Sequence, residues 1–203
     1  MRGRLVAFEG GEGSGKSTQA ALLAERLGAV LTHEPGGTAL GRRIRQLVLD
    51  AEVTALHART EALLMAADRA QHVAEVIRPA LARGDDVVTD RFSGSTLAYQ
   101  GCGRGLDLDE LAWLCRWAAD GIEADLVVLL DVPAAVAARR KVGALDRMEA
   151  EADDFHDRVA RGYRALADAR RATWAVVNGA GTVEEVAERV LAVVSERLAS
   201  RPE

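Results

Sequence analysis

Eight consecutive residues near the amino terminus constrain this chain more than any others. Gly10, Gly11, Glu12, Gly13, Ser14, Gly15, Lys16 and Ser17 follow the spacing G-x-x-x-x-G-K-S, and Thr18 comes next. Before them, Leu5, Val6, Ala7, Phe8 and Glu9 read as a short buried strand. After them, residues 19–27 carry Leu22, Leu23 and Leu27 at helical spacing. Strand, glycine turn and helix form the context in which this pattern cradles a phosphate. Glycines let the backbone curl so that successive N–H groups face one anion. The new helix adds its unpaired N–H groups and the positive end of its dipole. Lys16 is placed to reach the outer phosphates, and the Ser17 hydroxyl to ligate Mg²⁺.

Composition supports the cradle. Lys16 and Lys141 are the only lysines among 26 basic residues, the remainder being arginine. A compact ammonium and a planar guanidinium are not equivalent at a phosphate. A chain of 203 residues, 49% of them apolar, is long enough for one domain with a substantial core. A net charge of −5 argues against a nucleic-acid polymer as partner, although a small anion needs only a local positive pocket. No apolar run approaches the roughly 20 residues that span a bilayer. The strand and cradle begin so early that no signal peptide is expected. Two cysteines, Cys102 and Cys115, do not make a disulfide scaffold, and a cytoplasmic setting fits. Cys115 is expected in the core, and Cys102 in a glycine loop.

Strand and helix patterns alternate to the end of the chain. Further strands are predicted at 29–32, 87–89, 126–130 and 174–177. Thr38 is placed to cap a helix through Leu40, Ile44 and Leu47. A long helix is predicted over about 60–81, bent at Pro79 and stopped at Gly84. Helices are also expected at 109–119, from Pro133 to Arg140, and over 155–172. Thr182 and Glu185 have the spacing of a capping box for the final helix. Residues 142–154 are polar and acidic and read as a flexible flap. Five strands separated by helices imply an α/β fold: a five-stranded parallel sheet with helices on both faces. Ligands then sit beyond the carboxyl ends of the strands.

Several chemistry-bearing segments should open on that same rim. Glu34, Pro35, Gly36 and Gly37 follow the second strand. Asp90, Arg91 and Phe92 follow the third, where a carboxylate can hold Mg²⁺ and Arg91 can face a phosphate. Asp68 and Arg69 lie on the long helix. Ser93, Ser95, Thr96, Tyr99 and Gln100 supply hydroxyls, an amide and a ring, groups able to read a base and a sugar. Singly, each segment has an ordinary alternative as a solvated charge or a surface ion pair. On one edge of one sheet they amount to a pocket for a second phosphorylated molecule.

Together, these segments resemble the bacterial thymidylate kinases. The likeness runs from Phe8 to about Asn178. It rests on the cradle, on Glu34, Pro35, Gly36, Gly37 and Thr38, and on Ala67, Asp68, Arg69, Ala70, Gln71 and His72. It rests also on Asp90, Arg91 and Phe92, on Ala98, Tyr99, Gln100 and Gly101, and on Leu145, Asp146, Arg147, Met148 and Glu149. The resemblance implies a single P-loop kinase domain over residues 1–203, of the three-layer P-loop NTPase fold, with a short lid at about 140–154. It implies phosphorylation of dTMP to dTDP by ATP with Mg²⁺, in a cytoplasmic homodimer whose surface includes the long helix.

Carried over by position, Gly10, Gly11, Glu12, Gly13, Ser14, Gly15, Lys16, Ser17 and Thr18 would bind ATP. Arg139 would lie beside it, and the stretch from Asn178 near adenine. Arg91 and Arg45 would hold the dTMP phosphate. Arg69, with Thr96, would bond the thymine edge. Tyr99 would crowd the sugar against a 2′-hydroxyl, and Gln100 would also touch the deoxynucleotide. Glu34, Pro35, Met65 and Ser95 would complete that pocket. Glu12 would sit near the sugar hydroxyl and the metal, with Ser17 and Asp90 as metal ligands.

This chain departs from the family's pattern in three places. Met65 stands where many relatives stack an aromatic ring, and a thioether stacks less specifically. Phe92 stands where Tyr is usual. The flap after Ala138 is poorer in basic residues, leaving Arg139, Arg140 and Lys141 as rival candidates for one catalytic cation, with Arg147 a further source.

The acceptor is a phosphate whose second pKa is roughly 6, so no strong general base is required. That suits a chain whose four histidines, His33, His57, His72 and His156, are expected to be structural or exposed. A kinase for another nucleoside monophosphate is the nearest alternative, and a partner-regulated ATPase the more distant one. A guanine-specific switch would carry N-K-x-D, and Asn178, the sole asparagine, precedes Gly179.

Overall fold

The computed structural model describes residues 2–53, 55–140 and 145–199. Five strands, β1 Leu5–Glu9, β2 Val30–His33, β3 Val87–Asp90, β4 Leu126–Asp131 and β5 Trp174–Asn178, form one sheet in the order β2-β3-β1-β4-β5. Every pairing is parallel. The register brings Phe8 and His33 opposite Asp90, and Asp131 opposite Asn178, so all the carboxyl ends share one rim.

Alternation along the strands decides which helices cover which face. Leu5, Ala7, Val127 and Leu129 point to one face and meet Val73, Ile77, Leu81, Phe155, Val159 and Tyr163. Val6, Phe8, Val88, Val128 and Leu130 point to the other and meet Ala20, Leu23, Val186, Val190 and Val194. That second face is closed by α1 Lys16–Leu27 and by the last helix, Val183–Ala199. On that helix Thr182 and Glu185 form the reciprocal capping bonds. Both faces being covered explains why the strands read as continuous apolar runs.

The remaining described helices flank the sheet and its rim. They are α2 Ala39–Leu49, α3 Ala58–His72, α4 Arg78–Arg83, α5 Ser93–Thr96, α6 Leu108–Ala118, α7 Ala134–Arg140 and α8 Asp153–Ala169. Thr38 caps α2 by accepting from Gly41 N at 2.9 Å. Ile44 and Val48 of α2 are buried, whereas Leu40 and Leu47 face solvent.

Three local expectations are corrected. The long helix is not one uninterrupted α-helix; it widens into a π-helical turn, Val73–Ile77, before Pro79. Proline has no N–H to offer the Glu75 carbonyl, and the wider turn lets Arg78 N donate to Val73 O instead. Cys102 is not in a loop. It lies in a second π-helical stretch, Leu97–Gly103, against Gly162. Residues 145–151, within the expected flap, lie against the rest of the protein. Met148 is buried, and Arg147 N donates to Leu49 O at 3.1 Å. α8 already begins at Asp153, inside the span expected for the flap.

Candidate active site at the sheet rim

The cradle forms as the glycines require. Gly13 has φ 72°, and a Cβ there would lie 2.4 Å from the Ala137 carbonyl oxygen, so α7 closes over the turn only because no side chain intervenes. Gly15, with φ 92°, caps α1. Lys16 is buried and folds back on the cradle, donating to Gly11 O at 2.8 Å and Ser14 Oγ at 3.3 Å. Burial, and then the nearby Arg91 charge, pull its pKa down to about 8. Ser17 and Thr18 are exposed at the mouth.

Ser17 Oγ donates to Asp90 Oδ2 across the rim. The other oxygen, Asp90 Oδ1, is buried with no hydrogen-bond partner among the described residues. An orphaned carboxylate oxygen beside a hydroxyl is a donor set that suits a hard divalent cation. Among the described residues no group of three or more His, Cys, Asp or Glu side chains could hold a metal by itself. Mg²⁺ commonly completes its shell with water and phosphate oxygens, so the pair fits it.

Of the rival cations, Arg140 reaches the cradle. Its guanidinium donates to Ser14 O at 3.4 Å, Gly179 O at 3.1 Å and Gly181 O at 3.2 Å. It thereby ties α7 and the loop after β5 to the phosphate turn. Asn178 begins that loop, and its Oδ1 accepts from Ala180 N at 2.9 Å. Arg139 is solvent-exposed, and Lys141 lies outside the described residues. Arg147 is placed elsewhere: it donates to Val48 O at 2.7 Å and to Glu61 Oε2 at 2.6 Å.

Beside the cradle is a cavity that is partly open to solvent. Glu34, Pro35, Arg45, Met65, Arg69, Arg91, Ser95, Thr96, Tyr99 and Gln100 all line it, so every residue expected in the acceptor pocket is brought together there. Glu12 borders it from the cradle. A second cleft, lined by Lys16, Ser17 and Asp90 among others, shares Glu12, Glu34, Arg45 and Arg91 with that cavity.

Arg91 is the hub. Its φ of 74° is unusual for a side-chain-bearing residue and turns the guanidinium back over the rim. One terminal nitrogen donates to Gly10 O at 3.1 Å, Ser95 Oγ at 3.0 Å and the Tyr163 hydroxyl at 3.2 Å. The other pairs with Glu12. Burial works against the charge, but the Glu12 carboxylate and the surrounding anions hold the Arg91 pKa well above its ordinary value. Tyr99 donates to the same Glu12 oxygen at 3.0 Å, and burial is the main reason its phenol is pushed up.

Arg69 is buried, with its Nε on Glu34 at 2.9 Å and a terminal nitrogen on Thr96 Oγ1 at 3.1 Å. His72 approaches the other Glu34 oxygen at 2.9 Å. Asp68 Oδ1 accepts from Gly36 N at 2.9 Å, bracing the turn after β2. Burial, and then the Glu34 charge, push the Asp68 carboxyl up to about 6. Arg45 donates to Pro35 O at 3.0 Å.

Sequence reasoning missed Glu9, Tyr163 and Glu61. Glu9 is fully buried and accepts from Phe92 N, Ser95 N, Ser95 Oγ and the Tyr163 hydroxyl. A carboxylate ending an otherwise apolar strand was the available signal. Glu61 is also fully buried and receives Gln100, Arg104 and Arg147. Nothing local marks it, because its partners lie 39 to 86 residues away in the chain.

Comparison with known proteins agrees with this geometry. Residues 8–190 match the sequence pattern of the thymidylate kinase family. The thymidylate kinase of Desulfovibrio desulfuricans is 49% identical over 195 residues, covering 89% of this chain and 90% of that protein. That of Cupriavidus metallidurans is 47% identical over 192 residues, covering 92% and 94%. The crystal structure of thymidylate kinase from Ehrlichia chaffeensis superposes with a TM-score of 0.80 at 30% identity, covering 96% of this chain and all of that one.

Proposed function

The chain belongs to the thymidylate kinase family and carries out ATP-dependent phosphorylation of dTMP to dTDP, and we propose that its two rim sites divide that work, the cradle taking ATP and the Arg91 pocket taking dTMP. The observation that supports this division is the cleft lined by Lys16, Asp90 and Arg91, in which two bound anions would face each other with cations between them.

Phosphoryl transfer asks for positioning and charge stabilisation more than for covalent help. An oxygen of the dTMP phosphate forms the new bond to the γ-phosphorus of ATP, and the bond from that phosphorus to the β–γ bridging oxygen breaks. The acceptor, a dianion near neutral pH, needs no proton removed. In this reading Gly10, Gly11, Glu12, Gly13, Ser14, Gly15 and Thr18 surround the ATP phosphates, and Lys16 leaves its resting contacts for the outer ones. Arg91 and Arg45 hold the acceptor phosphate. Arg69, Thr96, Ser95, Gln100, Met65, Glu34 and Pro35 enclose the nucleoside, and Tyr99 bounds the sugar. Arg140, with Arg139 beside it, supplies the cation over the transferring group, and Asn178 opens the adenine side. Mg²⁺, held by Ser17 and Asp90, would neutralise charge on the donor phosphates.

The whole chain is read as one catalytic domain with residues 140–154 as its lid. A cytoplasmic homodimer completes the reading. Leu47, Leu63, Trp113 and Trp117 are exposed on α2, α3 and α6, and α3 packs against both other helices. The two Trp rings stack 6.1 Å apart at 9°. Such apolar side chains suit burial against a second copy. Among the described residues no helix is long and apolar enough to cross a membrane.

A coupled assay over a panel of monophosphate acceptors tests the division of sites. dTMP is expected to be the preferred acceptor, with ATP turnover negligible in its absence. Equal turnover with and without any acceptor would remove the second site. Sedimentation of the wild type and of Trp117→Glu tests the dimer, which is expected to dissociate in the variant.

A further inference from the structure

Glu61 does not line the acceptor cavity, yet it holds one of the groups that do. Gln100 Nε2 donates to Glu61 Oε1 at 2.8 Å. Arg104 Nε reaches the same oxygen at 3.3 Å, while Arg104 and Arg147 donate to Oε2 at 3.1 and 2.6 Å. Burial alone would favour the neutral acid. The hydrogen bonds from Arg104, Gln100 and Arg147 outweigh it, so the carboxyl lies below its ordinary range and stays ionised at neutral pH.

An ionised carboxylate accepts and cannot donate. The carboxamide of Gln100 can meet it only through nitrogen. That choice, ambiguous for an isolated amide, is fixed here by the partner. The amide oxygen is therefore the group that Glu61 leaves unbound, on a residue that lines the cavity with Arg69 and Thr96. Arg69, in contrast, has only donors. The wall thus offers an acceptor at Gln100 and donors at Arg69.

We propose that Glu61 is a specificity-determining positioning residue, which locks the Gln100 amide with its oxygen toward the acceptor so that the pocket favours a base presenting an imide N–H beside a carbonyl. Thymine and uracil present that edge. Cytosine presents a ring-nitrogen lone pair beside an amino group, so both polarities are reversed. Lone pair would face lone pair at Gln100, and donor would face donor at Arg69. Buried polar groups left unpaired in this way discriminate far more strongly than a missing methyl group does.

This inference rests on the reading of the cavity as the dTMP site. The test measures kcat and KM for dTMP and dCMP with wild type, Glu61→Gln, Gln100→Leu and the exchange pair Glu61→Gln/Gln100→Glu. In Glu61→Gln the neutral amide can donate as well as accept, and the Gln100 orientation is released. The dTMP KM is expected to rise more than kcat falls, and the dTMP-to-dCMP ratio of kcat/KM to drop about tenfold. Gln100→Leu is expected to lose a similar share of the preference. The exchange pair restores a pure acceptor at position 100 facing an amide donor, and is expected to recover much of the ratio.

A lowered melting temperature with an unchanged ratio in Glu61→Gln would reduce Glu61 to an ion-pair anchor and overturn the inference. Should that variant fail to fold, Gln100→Leu decides, since it leaves Arg104 and Arg147 paired; an unchanged ratio there overturns the proposal equally. A wild-type enzyme indifferent between dTMP and dCMP would instead sink the reading of the cavity itself.

Discussion

Glu9 and Arg91 hold the same two hydroxyl groups between them. Ser95 Oγ and the Tyr163 hydroxyl donate to Glu9 Oε2 at 2.6 and 3.2 Å. The same two oxygens accept from Arg91 at 3.0 and 3.2 Å. With their hydrogens aimed at the carboxylate, both hydroxyls present lone pairs to the guanidinium. Arg91 is thereby aimed by a carboxylate buried beneath the pocket. Burial raises the Glu9 carboxyl, opposed in part by hydrogen bonds from Ser95 and Phe92 and by the Arg91 charge.

Glu9→Gln replaces one acceptor oxygen with a donor and reverses at least one hydroxyl. The dTMP KM is expected to rise about tenfold, the scale of a lost hydrogen bond to a charged group, with the ATP KM unchanged. Arg91→Ala, which removes the guanidinium itself, is expected to cost more, again chiefly in the dTMP KM. Steady-state kinetics with both substrates varied distinguishes the two effects. A normal dTMP KM in the Arg91 variant would remove Arg91 from the acceptor site.

Lys16 carries a pH signature. Its ammonium titrates near 8 in the free protein, below its ordinary value of 10.5. Bound polyphosphate favours the charged form, so binding draws in a proton above pH 8. ATP affinity is expected to fall as pH rises beyond about 8, approaching tenfold per pH unit, and titration calorimetry should record proton uptake there. Stability of the free protein moves the opposite way. The folded state holds this proton less tightly than the unfolded chain, so its stability contribution improves as pH rises from about 8 to 10.5. Lys16→Ala should abolish transfer and flatten both dependences. A sloped affinity in that variant would assign the titration to another group.

Tyr99 closes the pocket against Glu12 at 3.0 Å, with its ring edge-on to Phe155 and Tyr163 at 6.1 and 6.2 Å. Tyr99→Ala is expected to relax discrimination against a ribonucleotide acceptor, read as the ratio of kcat/KM for dTMP and its ribose counterpart. An unchanged ratio would move the sugar away from this ring.

Arg140 and Arg147 divide differently. Arg140→Ala is expected to lower kcat on the order of a thousandfold, as loss of a cation at a transferring phosphoryl group does. Arg147→Ala leaves Glu61 with Arg104 and should cost stability, about 1–3 kcal/mol for a buried charge-assisted bond, with a smaller effect on kcat. Urea denaturation and single-turnover kinetics separate these outcomes. A reversed pattern would place the catalytic cation on the segment after α7.

How much of this was legible beforehand depended on the distance over which each residue acts. The cradle is a local object. Its glycines, lysine and flanking apolar strand dictate a turn, a helix start and a phosphate site within about fifteen residues, whatever surrounds them. The five strands were legible for a similar reason, since continuous apolar runs have no stable place except between two covered faces. The capping residues Thr38 and Thr182 act over three positions and were equally visible.

By itself, then, the sequence determined the parallel sheet, the rim on which Glu34, Asp90 and Arg91 open, and the phosphate cradle. Tertiary structure alone decided which polar groups face one another. Tyr163 meets Glu9 across 154 positions, Gln100 meets Glu61 across 39, and Arg140 meets Gly179 across 39. Periodicity reports whether a side chain is buried, because burial repeats with the helix or strand. It does not report hydrogen-bond partners, because these depend on how separate elements pack and on which donor is left facing which acceptor.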